Sequence, residues 1–268
     1  MPIWRADLEY LRQAIESLRT QTLADWELIV MEDAPFRAAP VIARFCDDRI
    51  VHIERPAKTS LADALNSGLD VCRADLIARF DGDDICLPDR LAAQVGYLEI
   101  HPEVVAVGTS LTVIDACGEV IGHRAMPSSP SAVADAMRRY DAIAHPSVMF
   151  RKHVVVGMGG YHNVATEDYD LWCRMIQAGQ LLANLSDEFL RYRFHDGALK
   201  FDTVHRVIRD TIAVKRRYFL HELTVRDRLR IAAEGFLLLL PSRLVLYLFR
   251  YLVYGRPRKG SDQPATTP

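Results

Sequence analysis

The stretch Leu76-Ile77-Ala78-Arg79-Phe80-Asp81-Gly82-Asp83-Asp84 decides how the chain is read. Five residues of strand character run into three carboxylates with one glycine between them. Aspartate is disfavoured in strands and in helix interiors, so the acidic cluster belongs to a turn at a strand end. Packed carboxylates repel one another unless a cation neutralises them. An all-oxygen ligand set selects Mg²⁺ or Mn²⁺, which also accept phosphate oxygens of a substrate. The same residues fit a solvated acidic turn that caps the next helix. A strand before the cluster and a helix after it favour a metal–diphosphate site.

Working outward, Leu8, Leu11, Ile15 and Leu18 recur at helical spacing and predict a helix over about residues 7–21. Residues 26–31 read as a strand that ends in the polar turn Glu32-Asp33-Ala34-Pro35. Residues 37–46 read as a helix and 49–54 as a strand. Ser60 is placed to cap a third helix, with Asp63 as its acidic partner three residues on. Alternating helices and strands imply a parallel sheet covered on both faces. Ligands of such sheets bind at the strand carboxyl ends, where both acidic turns, 32–33 and 81–84, fall.

Downstream, the pattern predicts a helix near 87–100, strands at 104–108 and 111–115, a helix at 131–140 and a strand at 147–150. A loop follows at 157–160, then a helix over 167–178 stopped by Gly179. Strands are expected near 181–185 and 188–194, and helix from 203 to 254. Thr166-Glu167-Asp168 opens the 167–178 helix. Thr166 suits an N-cap, and the two acids complement the helix dipole. A carboxylate there is equally placed to take a proton from an acceptor hydroxyl. His195, at the end of an alternating stretch, fits a structural or solvated histidine and also a further metal or diphosphate contact.

Half of the 268 residues are hydrophobic and a quarter are charged, the composition of a folded domain, with a net charge of -2. Residues 200–260 carry 14 Lys/Arg against 5 Asp/Glu, leaving an acidic body and a basic tail. Arginines interleaved with apolar runs suit an anionic membrane surface better than a nucleic acid. The apolar stretch from Ile231 to Tyr254 is broken by Glu234, Pro241, Arg243 and Arg250, so it is read as lying on a membrane rather than crossing it. The five cysteines show no C-x-x-C spacing, and residues 1–20 show no apolar leader pattern. A reducing cytoplasmic setting, at the inner face of the membrane, is the expectation.

Several stretches in order resemble inverting family 2 glycosyltransferases. They are Ser17–Thr22, Trp26–Val30 with Glu32-Asp33, Leu61–Gly68, Ile77–Asp84, His145–Arg151, Gly159-Gly160-Tyr161 and Thr166–Trp172. The resemblance covers about residues 1–200. It implies an α/β fold of GT-A type: a Rossmann-like, mostly parallel sheet flanked by helices, with a helical C-terminal extension. The expected divisions are 1–200 for the GT-A domain, 201–254 for a basic, apolar, membrane-associating extension and 255–268 for a disordered tail. The implied activity is transfer of a sugar from a nucleotide sugar, usually a UDP-sugar, to a hydroxyl of a saccharide or lipid-linked acceptor, as in envelope or extracellular polysaccharide synthesis.

By resemblance, Asp33 contacts the nucleotide base, with Glu32 in place of a commoner aspartate. Asp81 contacts the ribose or base side, Asp83 ligates Mn²⁺ or Mg²⁺ with Asp84 in support, and His195 is a metal or diphosphate contact. Asp168 is the general base, with Glu167 on the acceptor side. Family members begin with an apolar strand, whereas Met1-Pro2-Ile3-Trp4-Arg5 matches only the end of it. The resemblance therefore implies an absent central strand, with the true start upstream or the chain damaged. Two other readings stay open: a nucleotidyltransferase, although the basic, glycine-rich loop of that class is not seen, and an inactive relative that only binds a nucleotide sugar.

Overall fold

The computed structural model describes residues 1–35, 37–194 and 204–245. The expectations for His195, for the helical, membrane-associating stretch over 246–254 and for the 255–268 tail lie outside the described residues.

A short strand β1 (Pro2–Ile3) leads to helix α1 (Leu8–Arg19). Asp7 caps α1 by accepting from the amides of Glu9 and Tyr10, at 2.9 and 3.1 Å. Leu11, Ala14, Ile15 and Leu18 form its buried face, as the spacing predicts. Strand β2 (Leu28–Asp33) follows, then the short helix α2 (Ala39–Ile42) and strand β3 (Ile50–Arg55). β1, β2 and β3 form one parallel sheet. Its register sets Asp33 opposite Arg55.

Helix α3 (Leu61–Val71) opens on the expected capping box between Ser60 and Asp63. Strands β4 (Leu76–Ala78) and β5 (Ile85–Cys86) flank the acidic turn, and helix α4 (Arg90–Ile100) follows. Then come β6 (Val104–Ile114), β7 (Val120–Arg124), helix α5 (Pro130–Met137), β8 (Met149–Arg151), helix α6 (Lys152–Gly157), helix α7 (Glu167–Gln177) and β9 (Leu181–Arg193). The second sheet runs β4-β8-β6-β9-β5, with β7 on β6.

The α/β class, the flanking helices and the C-terminal helices are as expected. Parallel pairing holds within the first sheet and between β6 and β9, whereas the other four pairs are antiparallel. Two expected strand breaks are corrected. Residues 104–114 and 181–193 are each one long strand, because register shifts around Thr109 and Ser110 absorb the irregularity that reads as a break. β7 was not expected; it folds back through a turn in which Gly118 has φ +90°. The 157–160 loop begins one residue later, because α6 takes in Gly157.

The C-terminal helices α8 (Val204–Phe219) and α9 (Val225–Leu237) replace the single run expected from 203. Thr224 and Asp227 form a capping box that starts α9 afresh. α8 is clamped to α7: the Tyr218 hydroxyl donates to Asp170 at 2.9 Å. The buried Lys215 ammonium reaches Glu234 of α9 at 2.7 Å. Among the described residues no helix is long and apolar enough to cross a membrane.

Candidate active site

The carboxylate oxygens of Asp81, Asp83 and Asp84 lie within 4.8 Å of one another, beyond the carboxyl end of β4. Arg193, at the end of β9, holds the turn in shape. Its amide donates to Asp84 Oδ1 and its Nε donates to the Asp83 carbonyl, both at 2.8 Å. Its guanidinium is fully buried and also reaches Gln13 Oε1 at 2.8 Å. Asp84 is buried, and its Oδ2 has no hydrogen-bond partner. Burial first, then the charges of Asp81 and Asp83, push its carboxyl well above the usual range. An orphaned buried oxygen within an all-carboxylate set fits a hard divalent cation such as Mg²⁺ or Mn²⁺.

Arg79, which ends the β4 segment, is buried and pairs with Asp81. Its charge also acts on Asp84, His145, Glu167 and Asp168, so the acidic turn and the start of α7 share one cation. At that start, Asp168 Oδ1 accepts from the Tyr169 amide at 2.8 Å. His145 Nδ1 lies 3.8 Å from Asp168 Oδ2 and 3.9 Å from Glu167 Oε1. The opposite ring nitrogen is 3.0 Å from the Tyr161 hydroxyl. Burial and the Arg79 charge hold the His145 pKa well below its ordinary value, which keeps the ring neutral.

Burial and then Asp168 push Glu167 up to about 8. Burial is also the main cause that raises the Asp168 carboxyl. Asp168 is coupled to Asp141, which burial and the Asp168 charge raise well above the carboxylate range. Within this pair, each carboxyl acts on the other in opposite senses, Asp168 raising Asp141 and Asp141 lowering Asp168.

The β2 end divides its acids between two tasks. Glu32 is buried, and its oxygens accept from the amides of Arg37 and Ala38 (2.7 and 3.0 Å) and lie 2.8 Å from His52 Nε2. It is used up in tying the loop after β2. Asp33 Oδ2 accepts from the Thr59 amide and hydroxyl at 2.7 and 3.0 Å. Its Oδ1 lies 3.4 Å from Arg55 Nε yet makes no hydrogen bond. That leaves one buried acceptor at a strand end.

Thr166 stands at the head of α7, but its hydroxyl makes no capping bond and is buried without a partner, which corrects the expected N-cap bond. Its backbone, at φ -128° and ψ 56°, departs from the extended geometry that aims a capping hydroxyl at the helix amides. Sequence reasoning missed Asp141 and the roles of Arg79, His145 and Arg193. The first carries no local signal. Arg79 and His145 stand inside the stretches quoted above and Arg193 lies near the end of an expected strand, where a cation or an imidazole beside a strand end could have raised the question.

Carboxylates gathered at the strand ends of an α/β fold suit the handling of a phosphorylated group and its counter-ion. The sequence description "Glycosyl transferase family 2" matches residues 1–158, and the chain belongs to that family of glycosyltransferases. It is 36% identical over 189 residues to the amylovoran biosynthesis glycosyltransferase AmsE of Erwinia amylovora, covering 69% of this chain and 71% of that one. Its fold is similar to the mannosyltransferase PcManGT of Pyrobaculum calidifontis, solved with GDP-Man and Mn²⁺. The TM-score is 0.60 at 14% identity, over 94% of this chain and 78% of the other. It is also similar to residues 1–349 of S. aureus TarS with UDP-GlcNAc, with a TM-score of 0.63 at 12% identity, over 95% and 72%.

Proposed function

We propose that this glycosyltransferase moves a sugar from a UDP-sugar to a hydroxyl of a saccharide or lipid-linked acceptor, with inversion and with Asp168 as base. The observation that carries the reading is the convergence of the 81–84 carboxylates and the 167–168 carboxylates on one buried cation, Arg79. The fold neighbours hold GDP-Man with Mn²⁺ and UDP-GlcNAc, which supports a nucleotide-sugar donor and a divalent ion. The relative named for amylovoran biosynthesis supports a role in building envelope or extracellular polysaccharide.

Asp33 Oδ1, buried and without a hydrogen-bond partner, suits the imide N–H of uracil. Glu32 orients the loop around that pocket rather than touching the base. A bound Mn²⁺ or Mg²⁺, held by Asp83 with Asp81 and Asp84 beside it and with His195 as the further expected contact, would stabilise charge on the diphosphate. Asp168 takes the acceptor proton as the acceptor oxygen bonds to the anomeric carbon. The bond from that carbon to the diphosphate oxygen breaks, and its electron pair leaves with the nucleoside diphosphate. Burial raises the Asp168 carboxyl, which favours taking up the acceptor proton, while Asp141 works in the opposite direction. Neutral His145 holds the side chains of 167 and 168 apart from Tyr161 without adding a charge.

The exposed residues Val225, Leu229 and Phe236 share one face of α9, with Arg226, Arg228 and Arg230 close by. That surface supports peripheral membrane contact through residues 201–254, at the cytoplasmic face, where anionic lipid is found. Nothing about the site calls for a nucleic acid.

The test is UDP release from a panel of UDP-sugars with Mn²⁺, comparing the chain with Asp168→Asn. Turnover should fall by about 10²–10⁴-fold while donor KM changes little. Unchanged turnover would reject Asp168 as base. Nucleotide binding without release from any sugar would favour the inactive relative, and release of pyrophosphate from a nucleoside triphosphate would favour the nucleotidyltransferase.

A further inference from the structure

The chain enters α7 without the cap its sequence offers. Thr166 occupies the cap position, from which a hydroxyl ordinarily accepts from the amide two or three residues on. The amide three residues on is that of Tyr169, and Asp168 Oδ1 already accepts from it at 2.8 Å. The Thr166 hydroxyl is left buried and without a partner. Two oxygens therefore compete for one amide, and the backbone at Thr166, at φ -128° and ψ 56°, decides between them.

That backbone is held from another helix. The Ala165 amide donates to Asp210 Oδ2 of α8 at 2.8 Å. The acceptor is a carboxylate, which makes the bond charge-assisted, and Arg206 Nε lies 3.9 Å from the same oxygen. α8 is itself fixed through Tyr218 to Asp170 and through Lys215 to Glu234, so Asp210 presents its oxygen from a braced helix. At the other end of the loop, the Arg174 guanidinium donates to Asp170 at 2.9 Å and to the carbonyls of Met158 and Gly160, both at 2.6 Å. The loop is thus clamped from α7 at its start and from α8 at its finish.

The grip on Ala165 bears on Asp168. With Oδ1 on the Tyr169 amide, Asp168 sets Oδ2 3.8 Å from His145 Nδ1. If Ala165 were free, Thr166 could relax to the extended geometry of a capping residue and take the Tyr169 amide for itself. Asp168 would then lose the bond that fixes the plane of its carboxylate, and misplacing a reacting group by about 1 Å can cost about 10²-fold in rate.

We propose that Asp210 is a positioning residue for Asp168: by holding the Ala165 amide, α8 keeps the Thr166 hydroxyl off the Tyr169 amide and leaves that amide to orient the Asp168 carboxylate. The inference rests on Asp168 as the base of the reaction. It gives α8 a part in turnover that is separate from any contact with a membrane. The donor side, at Asp33 and the 81–84 turn, is not touched by this clamp.

The experiment follows Mn²⁺-dependent UDP release from whichever UDP-sugar the full chain turns over fastest. The Asp210 side chain is 25% exposed, so Asp210→Ala leaves no closed cavity. That change should lower kcat about 10- to 10²-fold and leave donor KM within about twofold. Asp210→Asn keeps an acceptor oxygen and should recover most of the loss. Thr166→Val added to Asp210→Ala removes the competing hydroxyl and should recover it too, which a role in stability alone would not produce. Tyr218→Phe frees α8 from Asp170 but leaves Ala165 held, so its kcat should stay near that of the parent. Unchanged kcat in Asp210→Ala, no recovery on adding Thr166→Val, or an equal loss in Tyr218→Phe would each overturn the proposal. Asp168→Asn in the same assay judges the base separately. A large loss there beside full activity in Asp210→Ala rejects the positioning role alone, and undiminished release there rejects both.

Discussion

Individual carboxyls in this protein differ by what surrounds them, and pH separates them. Glu167 keeps its proton up to about 8 in the fold, against an ordinary value of 4.5. The folded state thus binds more protons than the unfolded chain between those values, so this residue's contribution to stability is lost as pH rises from about 4.5 toward 8. In metal-free protein, Glu167→Gln should match the parent Tm near about pH 5 and exceed it by several degrees near about pH 9. A gap that does not change with pH would show that Glu167 is ionised throughout. The acids at 81–84 and 167–168 stood out in the sequence, because packed carboxylates repel one another and acids at a helix start meet its dipole. It did not reveal Asp141 or Arg79 as their electrostatic partners, since those couplings are made across the fold and carry no spacing.

At the scale of elements, the loop between α6 and α7 shapes the corner around His145 and the start of α7. Gly160 has φ +70°, and a Cβ built there would stand 2.5 Å from Asn66 Oδ1. The Asn66 amide brackets Tyr161, donating to its carbonyl at 2.9 Å and accepting from its amide at 2.8 Å. Tyr161 in turn holds His145. Gly159 has φ +84° but nothing within 4 Å of its Cβ position. Both Gly→Ala changes add backbone strain of about 1–3 kcal/mol, and only the change at 160 adds a clash. Gly160→Ala should therefore lower Tm more than Gly159→Ala and also reduce turnover; equal losses from the two would show that Asn66 does not brace this corner. Helices α1 and α3 were legible from their spacing and caps. The long strands β6 and β9 were not, because their bulged register looks like two strands and a turn in sequence.

On the scale of the whole molecule, the C-terminal helices are fastened to α7 through Tyr218 and Asp170, and they turn an apolar, arginine-flanked face outward. Liposomes carrying anionic lipid should float the protein, and Leu229→Glu together with Phe236→Glu should leave it at the bottom of the gradient. Equal flotation of both forms would place membrane contact elsewhere. The class of fold was legible at this scale from strand–helix alternation, whereas the division into two sheets was not, because sequence pattern does not report which edges meet. The central claim is that the 81–84 turn and the strand end at Asp33 form one nucleotide–metal site. It is tested most directly by calorimetric titration of UDP with and without Mn²⁺. Binding should require Mn²⁺, vanish in Asp83→Ala and persist in Asp168→Asn; UDP binding that ignores both the ion and Asp83 would contradict it.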